Sequence, residues 1–168
     1  MLDIILGNVF SLLATISDSL SSSRKTAKGV LLVQNLSQIF YGLSAIALKG
    51  YSAAVQNAVS IVRNLIAIRP GRHRVLEWVL ILLGVVLGLW CNNLGIVGLL
   101  PIIANVEYSL AVFHFQNNER ALKKAFALTL ALYIAFNVVI LNFVAVICNT
   151  VVLVMTVIFL IRKPNNQQ

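Results

Sequence analysis

The stretch RPGRHRVLEWVLILLGVVLGLW, Arg69 to Trp90, decides the class of this chain. Arg69, Arg72, His73 and Arg74 stand directly before Val75 to Trp90, sixteen residues whose only charge is Glu77. A basic loop flush against an apolar run of that length is the signature of a membrane span with its basic end at the cytoplasmic surface. Trp78 and Trp90, near the two ends of the run, fit anchoring at both interfaces. Gly84 and Gly88 are four apart and share one face, so a neighbouring helix can approach closely there.

The rest of the chain has the same character. Hydrophobic residues make up 60% of the 168, charged residues only 11%, and the mean hydropathy is +0.92, outside the range of soluble domains. With about 17 to 25 residues needed per helical span, the length admits at most about seven or eight spans and no separate soluble domain. Met1 to Phe10 is apolar, carries Asp3 and lacks Lys or Arg, so it reads as the start of the first span rather than a cleavable signal. A net charge of +8 suggests nucleic acid in a soluble protein, but here the cations serve as topology determinants, and no nucleic-acid partner is expected. Cys91 and Cys148 lie in apolar stretches without a CxxC or a His partner, and read as free, buried thiols.

Working outward from Arg69 to Trp90, apolar runs bounded by charge or turn residues place helices near 4–20, 29–48, 53–68, 75–90, 96–113, 122–141 and 143–161. The fold expected is an all-α transmembrane bundle of seven helices, one membrane domain over 1–168. Arg24, Lys25 and Lys28 follow the first helix, and Arg69, Arg72 and Arg74 the third. Arg120, Lys123 and Lys124 stand before the sixth helix or in its first turn, and Arg162 with Lys163 follows the seventh. With the N-terminus outside and the C-terminus cytoplasmic, eleven of the thirteen Lys and Arg share the inner face, and Lys49 alone lies on the outer one. Arg63 is the remaining one, inside the third span.

Internal similarity appears at an offset of 92 residues: Tyr41 matches Tyr133, Tyr51 matches Phe143, Ala53 matches Ala145 and Asn57 matches Asn149. The chain then divides into a three-helix repeat over 1–69, an inverting linker helix over 75–91 and a second repeat over 95–162, the two repeats running parallel.

The run QNAVSIVRNLIAIR, Gln56 to Arg69, and the short basic loop after it resemble the YgjV-type family of bacterial inner-membrane proteins, over nearly the whole length. That resemblance implies a multi-pass protein of the bacterial inner membrane and brings no biochemical activity with it. The three plus one plus three plan also resembles the SWEET and PQ-loop transporters. That likeness implies that Asn57 and Asn149, each in the last helix of its repeat, contact a substrate, although no Pro-Gln motif is present.

Polar groups within spans are costly to place among lipid tails and face the bundle interior. Gln34, Gln38 and Tyr41 form one stripe in the second helix, and Asn57, Ser60 and Asn64 another in the third. Asn57 and Asn149 lie at similar depth, and with Gln38, Tyr41, Ser60, Tyr133 and Asn137 they are the candidate lining for a polar solute; the other reading is that the amides join helices. Glu107 and Arg63 stand at nearly equal depth, as an ion pair or with Glu107 protonatable, while Asp18 occupies roughly the equivalent place in the first repeat. Pro101 is the candidate hinge of the fifth helix.

No HExxH, GxSxG, phosphate loop or dinucleotide fingerprint occurs, so an enzyme, a metal site and a cofactor are not expected. Two functions are expected to compete. One is a small-solute transporter or facilitator with its site between the repeats. The other is a non-transporting structural or scaffold protein whose polar residues join helices. The expected partners are the lipid bilayer, a small polar solute and a second copy of the chain.

Overall fold

The computed structural model describes residues 1–22, 27–67, 74–114 and 119–162. Among these the chain forms seven α-helices and no strand: α1 Leu2–Ser22, α2 Ala27–Ala47, α3 Tyr51–Ala67, α4 Arg74–Trp90, α5 Leu99–His114, α6 Glu119–Val139 and α7 Phe143–Arg162. Each lies within three residues of its sequence expectation at both ends. Arg24, Lys25, Arg69, Arg72, His73 and Lys163 lie outside the described residues, as does Ile68.

Among the described residues three helices are long and apolar enough to cross a membrane, over Leu2–Leu20, Arg120–Val139 and Phe143–Arg162. α3 and α4 have 17 residues and α5 has 16.

Burial is inverted relative to a soluble domain. Leu6, Val9, Leu12 and Leu13 of α1, Leu82, Leu83 and Val86 of α4, and Val151, Val154 and Met155 of α7 are exposed, whereas most of the fully closed positions are small or polar. Ser11, Ala14, Ser37, Ser44, Ser52 and Ala104 have no accessible surface. Small residues at helix contacts let backbones approach where lipid supplies no hydrophobic drive to associate. Trp78 and Trp90 are exposed on α4, as interfacial anchors must be. Cys148 is half-buried, but Cys91, expected to be buried, is exposed because α4 ends at Trp90 and leaves it in the turn beyond.

Consecutive helices pack on one another, and two further contacts, α3 with α5 and α7 with α1, close α1, α2, α3, α5, α6 and α7 into a ring. α4 packs only on α3 and α5. One end of the ring gathers the N-terminus and the turns after α2, α4 and α6. There Ala45, Leu48, Ala53, Phe136 and Ile140 form the main apolar cluster, with Ile4, Leu94 and Val97 against it. Asn93 Nδ2 donates to the Lys49 carbonyl oxygen at 2.7 Å, tying the α4–α5 loop to the α2–α3 turn.

The α2–α3 and α6–α7 turns have the same hydrogen bonds 92 residues apart. Gly50 N donates to Ala45 O at 2.7 Å and Lys49 N to Ile46 O at 3.0 Å; Asn142 N donates to Asn137 O at 2.9 Å and Leu141 N to Val138 O at 3.3 Å. This 6→1 and 5→2 pairing is a Schellman close, which requires a left-handed residue. Lys49 at φ 60° and Leu141 at φ 59° supply it.

Candidate functional site

The densest polar cluster lies between α3 and α5. Gln56, Ser60 and Arg63 recur at intervals of four and three and so share one face of α3; Asn105 and Ser109, four apart, share the facing stripe of α5. Asn105 is the hub. Its Nδ2 donates to Gln56 Oε1 at 2.7 Å, and its Oδ1 accepts from Arg63 Nη1 at 3.2 Å and from Ser60 Oγ at 3.4 Å. Gln56 Nε2 continues the chain to the Gly84 carbonyl oxygen on α4 at 2.9 Å. Arg63 Nη1 also donates to Ser109 Oγ at 3.2 Å, and its guanidinium carbon stands 5.6 Å from the centre of the Tyr108 ring. A cavity of about 10 Å³, room for roughly one water, opens among Gln56, Arg63, Asn105, Ser109 and Leu80.

Gly84 and Gly88 therefore serve contacts inside the chain. A Cβ at Gly88 would lie 2.5 Å from Gln56 Nε2 and 2.9 Å from Ile102 Cγ1. The close approach of α4 is what brings the Gly84 carbonyl within reach of Gln56.

Two carboxylates, Asp18 and Glu107, each take a hydroxyl from the next helix. Asp18 on α1 accepts from Ser37 and Tyr41 of α2. Glu107 on α5 accepts from Thr129 Oγ1 of α6 at 3.0 Å. Ser37 and Thr129 are 92 residues apart, and each is followed four residues later by a tyrosine, Tyr41 and Tyr133. Of the two expectations for Glu107, an ion pair with Arg63 or a protonatable carboxyl, the pair is not formed among the described residues: the two take separate partners. Two residues along a helix is about 200° of rotation, so the turn that presents Asn105 to α3 turns Glu107 toward α6.

The other expected lining residues divide. Ser60 is buried in the Asn105 network, and Tyr133 is half-buried with Arg63 as its electrostatic neighbour. Tyr41 is half-buried, 3.4 Å from Thr15 Oγ1, with Cys148 of α7 within electrostatic reach. Asn57 is buried and lies against Gly42 of α2, Asn137 is buried, and Gln38 and Asn149 are half-buried. Among the described residues the side chains of these four amides make no hydrogen bond. Asn57 and Asn149 do not face each other across a contact, since α3 and α7 do not pack together. Pro101 is fully buried, third in α5. In a first turn the backbone N–H groups have no intrahelical acceptor, so this proline opens the helix without interrupting its ladder, and the expected bend loses its cause. Asn105 and Ser109 were not assigned to the site from sequence, although their spacing of four, facing the Gln56, Ser60, Arg63 stripe, is a readable signal.

No curated protein and no solved structure matches the chain. The family model described as bacterial inner membrane protein, Imp-YgjV, matches residues 5–167. An inverted burial pattern, seven helices and that match together place the chain as a multi-pass protein of the bacterial inner membrane, belonging to the Imp-YgjV family.

Proposed function

We propose that this protein is a small-solute transporter or facilitator whose polar path runs between two parallel three-helix units, 1–69 and 95–162, with α4 as the linker between them. The observation that carries this reading is the set of amides Asn57, Asn137, Asn149 and Gln38, inside helices of a membrane protein yet without a hydrogen bond among the described residues. An amide removed from water costs several kcal/mol when nothing pairs with it, so such groups are retained where water or a solute meets them. Their donors and acceptors suit a polar, uncharged or weakly charged solute.

The division into units is supported by the offset of 92. α2 and α6 end at 47 and 139, and α3 and α7 begin at 51 and 143. In the ring, α3 against α5 is the counterpart of α7 against α1, as a two-fold relation between the units requires. The outward placement of the N-terminus is supported by the end of the ring it shares with the turns after α2, α4 and α6. Lys49 is the one Lys or Arg among the described residues of those turns, whereas Arg74, Arg120, Lys123, Lys124 and Arg162 begin or end helices at the other end.

A second reading, a scaffold without transport, is favoured by the Gln56–Asn105–Arg63 network, in which amides do join three helices. The two separate in one experiment. Detergent-purified protein is melted against sugars, nucleosides, vitamins and amino acids, and any stabilising solute is then offered to proteoliposomes. Transport requires a saturable shift, and uptake that Asn57→Ala and Asn149→Ala abolish while the folded protein remains; wild-type uptake in both variants removes the site. The scaffold requires lowered stability in those variants and no saturable shift.

A further inference from the structure

We propose that Arg63 holds a small monovalent anionic group, a halide or the carboxylate of a solute, in the cavity between α3 and α5. The inference stands whether or not the protein transports. Arg63 carries a permanent charge and five N–H donors. Both of its hydrogen bonds leave Nη1, for Asn105 Oδ1 and Ser109 Oγ, each at 3.2 Å, so Nε and Nη2 have no partner among the described residues. Among the described residues every group that meets this guanidinium is neutral. Its electrostatic neighbours are the phenols Tyr108 and Tyr133; Glu107 on α5 is engaged by Thr129 of α6, and Glu77 on α4, the other carboxylate on a helix packed against α3, makes no ion pair with Arg63 among the described residues.

A cation within a bilayer protein is stable when it reaches water or meets a counter-charge. Arg63 is half-buried and tethered by two bonds to α5, which holds the guanidinium at the helix seam instead of letting it snorkel to the surface. With no counter-charge among the described residues, one from outside the chain can settle in the cavity beside Arg63. At about 10 Å³ it has room for one small group beside the guanidinium, such as a halide or a carboxylate oxygen. Ser109 supplies a second donor. Its oxygen accepts from Arg63, which leaves its own proton free for an anion in the same space.

The test is thermal melting of the full-length protein in detergent at constant ionic strength. Sodium HEPES, the reference salt, is replaced stepwise by sodium chloride or by sodium acetate. The wild type is expected to show a saturable rise in melting temperature that is absent in Arg63→Gln. Ser109→Ala keeps the guanidinium and is expected to weaken half-saturation by about tenfold, the equivalent of one hydrogen bond to a charged group; it serves as the decisive variant if Arg63→Gln does not fold. Glu107→Gln is expected to leave the shift unchanged. A rise with chloride alone identifies a free halide, and a rise with acetate as well identifies a carboxylate. No saturable rise in the wild type, or one that survives unchanged in Arg63→Gln or Ser109→Ala, overturns the proposal. Because the readout is binding alone, its failure leaves the transport reading to its own experiment.

Discussion

Lys49 and Leu141, 92 residues apart, turn the backbone into the left-handed region at φ 60° and φ 59° and close the same Schellman turn. Both are side chains that rarely adopt this conformation, and neither turn places its glycine there: Gly50 follows Lys49 in the first turn, and the second has none. The turn is imposed by what it joins. Gly50 is held against Phe136, to whose Cζ an added Cβ would come within 2.8 Å, and Asn142 donates to Ser44 Oγ at 3.2 Å, so each turn is locked onto the helix pair of the other.

Lys49→Val and Leu141→Val should each lower stability by about 1–2 kcal/mol, because a β-branched side chain adds strain where the left-handed backbone is obligatory. Lys49→Gly and Leu141→Gly should leave stability unchanged or raise it by a few tenths of a kcal/mol, since relieved strain offsets the entropy of glycine. Thermal melts of the four variants check this; a tolerated Val at either site means that the turn does not need the left-handed residue.

Gly88→Ala should destabilise by about 1–3 kcal/mol, because the new Cβ meets Gln56 Nε2 at 2.5 Å and Ile102 Cγ1 at 2.9 Å in a packed seam. Gly84→Ala meets nothing closer than Val59 Cγ1 at 3.3 Å and should cost under about 1 kcal/mol. Equal melting temperatures for the two variants would show that α4 does not sit against Gln56 as described.

Asn105→Leu removes the acceptor of Arg63 and Ser60 and the donor to Gln56, and should cost about 2 kcal/mol. In a double-mutant cycle with Gln56→Leu the coupling should be about 1 kcal/mol, the scale of hydrogen bonds between membrane helices. A coupling of zero would mean that the two amides act independently.

Asn8 joins the start of the chain to the start of α7: its Oδ1 accepts from Val144 N at 3.0 Å, and its Nδ2 donates to the Leu141 carbonyl oxygen at 3.0 Å. It acts as a helix cap supplied from another helix, so Asn8→Ala should cost about 1 kcal/mol. Exchange of the Val144 amide hydrogen should accelerate about tenfold, with the α4 amides unchanged as the internal control. Unaltered exchange at Val144 would show that the cap is not formed.

Composition and periodicity determined most of the architecture. Apolar runs interrupted by basic clusters marked all seven helices within three residues at each end, because the need to satisfy every backbone group in lipid leaves helices as the only economical form for such runs. The spacing of Tyr41 and Tyr133 also announced the offset at which the helix ends and turns coincide. Helix rotation was not legible. Glu107 and Arg63 share a depth in the chain, yet about 200° of rotation separates Glu107 from Asn105, and only the packing of α5 between α3 and α6 decided which of them meets Arg63. Depth follows from counting residues along one helix. Which face meets which neighbour depends on how several helices pack at once, and an apolar sequence, with lipid as acceptable to its side chains as protein, records that only weakly.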